Sequence, residues 1–129
     1  MLLFRPVGLH ELRLIAATGF RAFPPRLPDQ PIFYPVLDEA YAIQIARDWN
    51  PDDPASGFAG FVTKFDVDDT WIARHPIRVV GASEHRELWI PADDLPELNA
   101  RIQGRIAVVA SFPGPRFEGR IDPTTHLPI

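Results

Sequence analysis

Hydrophobic positions recur along this chain with two different periods, and the switches between them mark the elements. Leu3, Arg5 and Val7 alternate with Leu2 and Phe4, so residues 2–7 read as a first strand with an arginine at its middle, although Pro6 interrupts its donors. From Gly8 the spacing becomes helical. Leu9, Leu12, Ile15 and Ala16 form one stripe, closed by Gly19 as a C-terminal glycine. Residues 20–23 are expected to begin a second strand. Residues 24–31 contain Pro24, Pro25, Pro28 and Pro31, which remove donors and hold the preceding residues extended, so a stiff loop is expected.

Residues 32–36 return to strand, with Pro35 confining that end to an edge or a break. Asp38 is placed to cap the clearest helix of the chain, whose Ala42, Ile45, Ala46 and Trp49 share a face. Residues 58–67 predict a half-buried strand, with Phe61, Thr63, Phe65 and Val67 opposite Val62, Lys64 and Asp66. A short helical turn over 68–74, an apolar strand at 77–80 and a turn at 81–83 lead into a strand at 84–91. A short helix from about Asp93 uses Leu95, Leu98 and Ile102 and stops at Gly104, and 105–112 is the last strand. Strands alternate with helices early and cluster late. The expected class is α+β, with a mixed, mostly antiparallel sheet or pair of sheets and three to four short helices. One domain is expected over residues 1–112, followed by a proline-rich tail, 113–129, that wraps or frays.

Composition narrows the function classes. A chain of 129 residues suits one domain that buries roughly two thirds of its unfolded surface. No apolar run approaches the ~20 residues of a membrane span, and the first residues lack the pattern of a secretion signal, so a cytoplasmic protein is expected. Absence of cysteine excludes disulfides, a thiolate nucleophile and cysteine-held zinc. The net charge of −4 is spread along the chain, which disfavours nucleic acid as a partner. The cations are twelve arginines and Lys64, a bias that fits genome composition as well as anion recognition.

Within 84–91 the period of two puts Arg86, Leu88 and Ile90 on one face and His85, Glu87 and Trp89 on the other. Because Leu88 and Ile90 belong in a core, Glu87 faces solvent or a cleft beside an imidazole and an indole. His10, His75, His85 and His126 lack helical ligand spacing, and no metal site is expected. Glycine-rich phosphate loops and a G-x-S-x-G turn are absent from the sequence. Ser56, Ser83 and Ser111 read as turn residues. Phe23, Phe33, Tyr34, Tyr41, Trp49 and Trp71 read mostly as core, although Tyr34, leaving its strand at Pro35, is also placed to line a pocket.

The order of these features resembles the ADP-ribosyltransferase-like fold: Leu3-Phe4-Arg5-Pro6, a helix, Ile32-Phe33-Tyr34-Pro35-Val36 leading into Ala42-Ile43-Gln44-Ile45-Ala46, and a late strand with Glu87. Residues 20–34, 41–50 and 87–95 are also similar to a family of short bacterial proteins carrying an ADP-ribosylation label. The resemblance covers about residues 2–112 and implies NAD as the substrate of a glycosyl transfer. It implies that Arg5 binds a phosphate or ribose of NAD, with Tyr34 stacking on the nicotinamide and Phe33 beside it. Glu87 would hydrogen-bond the ribose and stabilise its developing positive charge, and His85 would stand where the family orients the acceptor. The family's Ser-Thr-Ser is missing near Tyr34-Pro35-Val36, and Glu84 and Glu87 are three apart, so no Glu-x-Glu is formed. Arginine modification is thereby disfavoured, leaving a small molecule, a nucleobase or another protein group as acceptor. The alternative is a non-catalytic binding protein, for example a toxin-associated partner, that keeps the fold and presents loop 24–31 and the tail.

Overall fold

In the computed structural model, which describes residues 1–83 and 85–129, the elements follow in the order β1 (Leu2–Gly8), α1 (Leu9–Ala17), β2 (Ile32–Phe33), α2 (Glu39–Asp48), β3 (Ala59–Val67), α3 (Asp69–Ile72), β4 (Ile77–Val79), β5 (Arg86–Leu88), β6 (Ile90–Pro91), α4 (Leu95–Ala100) and β7 (Ile102–Pro113). The chain is mixed α+β with antiparallel pairing throughout these strands. β3 lies between β1 and β7, while β2 pairs with β6 and β4 with β5. An isolated bridge at Val36 joins these pieces. Val36 pairs with Phe4 of β1 on one side and with Glu87 of β5 on the other.

Register decides which side chains share a face. Arg5 lies opposite Thr63, Leu3 opposite Phe65 and Val7 opposite Phe61, so one face carries the main core together with Phe23, Phe33, Ile15 and Leu88. Phe4, Val36 and Val62 belong to the other face, where Ala42 and Ala46 of α2 cover them. Small residues let this helix sit close. A Cβ on Gly60 would lie 2.0 Å from the Ala46 carbonyl oxygen, so only glycine permits the approach.

Several expectations are corrected. Residues 20–23 form no strand: Phe20 has φ +61°, and the Thr18 hydroxyl accepts the N–H groups of Arg21 and Ala22, which holds a turn. The single strand over 84–91 divides at Trp89, because β5 follows β4 and β6 follows β2; Glu84, its first residue, lies outside the described residues. Pro35 breaks 32–36 in the same way. β4 forms where an apolar strand was expected, yet its residues are exposed, with Val79 at 60%. Gly104, expected to end a helix, lies inside β7 with φ +78°, opposite the register shift between Lys64 and Asp66, which reads as a bulge. β3 is buried on both faces from Ala59 to Thr63, since α2 covers the side that alternation assigned to solvent. Trp49, expected in the core, is 62% exposed: it caps the C-terminus of α2 with its N–H still bonded to the Ile45 carbonyl, and its ring lines a surface cleft.

Residues after Pro113 fold back. Phe117, Ile121 and Leu127 pack against the main core, and Ser111 meets His126 at 3.1 Å. Among the described residues no helix is long and apolar enough to cross a membrane.

Candidate functional site

Phe4 spends both of its backbone groups on Val36, at 2.9 and 2.8 Å. Two residues on, Pro6 therefore points its nitrogen toward the same side, where β1 has no further strand partner among the described residues and a missing N–H costs nothing. The chain at 32–35 has turned away to reach β6. Between the two lies a cleft of about 470 Å³, within the usual size of small-molecule sites. Its lining includes Arg5, Glu11, Arg26, Tyr34, Trp49 and Asn50.

Arg5 is held on all sides. Its Nε and Nη2 donate to the two carboxylate oxygens of Glu11 at 2.7 and 2.9 Å, a bidentate pair across the β1–α1 turn. Its guanidinium carbon stands 4.5 Å over the Phe33 ring, and Nη1 reaches the Tyr34 carbonyl at 3.5 Å. Phe33 is only 1% exposed, so it supports Arg5 from the core and presents no surface to a ligand. Tyr34, by contrast, is 40% exposed and faces the cleft. Asn50 is buried, donates through Nδ2 to Ser56 at 2.9 Å, and leaves Oδ1 without a partner among the described residues. The Ser56 hydroxyl in turn donates to Asp53, which pulls the Asp53 carboxyl below the usual range.

Glu87 and His85 form a second group. Among the described residues neither lines the cleft. Because Glu87 pairs directly with Val36, its side chain shares the α2 face, opposite to Arg5. Tyr41 donates to Glu87 Oε2 at 3.1 Å and Trp89 Nε1 to Oε1 at 2.6 Å. His85 stacks on the same Tyr41 with ring centroids 4.3 Å apart, and its Nε2 meets Gln44 at 3.2 Å. Burial first, and then the charge of Glu87, push the Tyr41 hydroxyl up, which keeps it a donor. Both donors to Glu87 are neutral, and the Arg78 guanidinium, from the residue opposite Glu87 in β4, lies 4.7 Å over the Trp89 ring.

The two groups meet through aromatic rings. Tyr34 touches Trp89 edge-on, with centroids 6.1 Å apart, and Trp89 is the ring that holds Glu87. Arg5 and Tyr34 thus line one cleft with Phe33 behind Arg5 in the core, Glu87 and His85 gather around Tyr41, and Trp89 touches both Tyr34 and Glu87. No family model, curated protein or solved structure matches this chain.

The sequence marks no site role for Glu11, Arg26 or Asn50, and reads Tyr41 mostly as core, whereas its hydroxyl bonds Glu87. Glu11 was legible in principle, since a carboxylate six residues after a mid-strand arginine can fold back on it once the helix starts directly at the strand end. Arg26 carried no such mark beyond its place among prolines.

Proposed function

We propose that the chain is an ADP-ribosyltransferase-like protein that binds NAD in the cleft between β1 and Tyr34 and sets Glu87 near the ribose bonded to nicotinamide. The observation that carries this reading is the contact of Tyr34, a cleft wall, with the indole that holds Glu87 at 2.6 Å. A nicotinamide stacked on Tyr34 lies one side chain from that carboxylate. When the bond from the ribose C1′ to nicotinamide breaks, the electron pair leaves with nicotinamide and positive charge develops on the ribose. A carboxylate fixed by two neutral donors stabilises that charge without moving. The acceptor's nucleophilic oxygen or nitrogen then attacks C1′ and gives up its proton.

Fit to NAD rests on the cleft itself. Its volume, the exposed rings of Tyr34 and Trp49 and an arginine outside the Arg5–Glu11 pair, Arg26, suit a dinucleotide of flat bases and a diphosphate. The direct test is nicotinamide release from NAD by the wild type and by Glu87→Gln, which keeps shape and removes charge. Release by the wild type at least a hundredfold faster supports the role, on the scale of lost electrostatic stabilisation. Equal release sinks it.

A second reading, binding without turnover, is favoured by one feature: Glu87 and Arg5 point to opposite faces of the sheet. Calorimetry that shows NAD binding together with no nicotinamide release would establish that reading instead.

A further inference from the structure

The cleft contains two guanidinium groups and a carboxylate that pairs with only one of them. Glu11 engages Arg5 through both oxygens. Arg26 donates its Nε to the Ile32 carbonyl at 3.1 Å and, among the described residues, makes no ion pair. Asp53, the other carboxylate of the cleft, is already taken by the Ser56 hydroxyl and the Ala55 N–H. Arg26 is half-buried, and burial, followed by the nearby charge of Arg5, pushes its pKa down. The nearby charge of Glu11 offsets this only in part, because both of its oxygens are bonded to Arg5.

We infer that Arg26 is the principal ligand for the diphosphate of a dinucleotide bound in this cleft, while the Arg5–Glu11 pair acts as a fixed wall. The assignment rests on reading the cleft as a nucleotide site. Arg5 has spent its fork on Glu11, whereas Nη1 and Nη2 of Arg26 remain to grip two phosphate oxygens side by side. Pro24, Pro25, Pro28 and Pro31 stiffen the backbone around Arg26, and its Nε is tied to Ile32, so little freedom is lost on binding. The sequence resemblance pointed to Arg5 for this role. In this proposal it falls to Arg26, whose Nη1 and Nη2 make no bond among the described residues.

Calorimetric titration of inorganic pyrophosphate, ADP-ribose, NAD and nicotinamide riboside into wild type, Arg26→Gln and Arg26→Lys tests this. Arg26→Gln is expected to weaken pyrophosphate and ADP-ribose binding about tenfold or more, with the phosphate-free riboside unaffected. Arg26→Lys, which keeps charge and loses the fork, falls between, and it carries the test should the glutamine variant melt early. Pyrophosphate that binds both proteins equally, or does not bind the wild type, overturns the assignment. Binding of NAD that Arg26→Gln leaves unchanged overturns it too, while the NAD reading stands. Pyrophosphate binding lost in Arg26→Gln, with no binding of NAD or ADP-ribose, keeps Arg26 as an anion ligand and removes NAD.

Discussion

Replacing Glu11 by Gln removes one charge and little volume, and it leaves the Arg5 guanidinium facing its lost partner. The Arg5 side chain is 11% exposed and that of Glu11 23%, so the pair is close to the buried limit, where loss of one partner costs about 3–5 kcal/mol. Two features reduce this. Water reaches the Glu11 side, and the Phe33 ring face at 4.5 Å continues to hold the cation, a contact worth about 0.5–1 kcal/mol. The expected loss is about 2–3 kcal/mol. In a chain of this size that lowers the melting temperature by roughly 6–12 °C. Urea titration followed by circular dichroism reads the loss directly through the midpoint at unchanged slope. A double replacement, Arg5→Met with Glu11→Leu, should come back to within about 1 kcal/mol of the wild type, because an apolar pair removes both desolvated charges together. A loss below about 0.5 kcal/mol for Glu11→Gln would refute the reasoning, since that is the worth of an ordinary surface pair.

Gly60→Ala forces a methyl group into the Ala46 carbonyl of α2, at a backbone that cannot yield as a side chain would, and should cost about 3 kcal/mol or more; an unchanged urea midpoint would contradict the packing of α2 on β3. Asp38, hydrogen-bonded by Arg86 at 2.9 Å, has its carboxyl held below the usual range chiefly by that bond. Its folded pKa thus lies under the unfolded value of about 3.9, so its contribution is complete above roughly pH 5 and fades as pH falls through the folded pKa. The stability gap between wild type and Asp38→Asn should therefore shrink from neutral pH toward pH 2, and a gap that stays constant would rule out the ion pair as its source.

The sequence disclosed most of the framework, and its failures have common causes. Period-two alternation found β1 and the end of β3, where Lys64 and Asp66 alternate with buried Phe65 and Val67, and helical spacing found α1 and α2 because each buries one stripe against the sheet. Alternation could not show where a strand changes partners. The run 84–91 is continuous in pattern, yet its first half belongs with β4 and its second with β2, a division written in pairing over long sequence distance. Periodicity also put Trp49 in the core, since a stripe of apolar residues does not say how far the surface that it packs on extends. At the candidate site, alternation correctly turned Glu87 away from Leu88 and Ile90. What it could not reveal is that Val36 sits between β1 and β5, which sends Arg5 and Glu87 to opposite faces although each lies mid-strand. Asp38 shows a related limit: it stands at the helix start as expected, yet its side chain makes no capping bond and spends itself on Arg86.

Pro6 gives the cleft a permanence that side chains alone would not. An unpaired strand edge invites any nearby extended segment to zip onto it, and Val36 is already anchored at Phe4. Such zipping would need a donor two residues along, and the imino ring supplies none. The seam between β1 and its neighbour thus stops after a single rung for a covalent reason. Thermal breathing can widen the gap but cannot heal it, so the cavity is a property of the chain's chemistry rather than of whatever fills it.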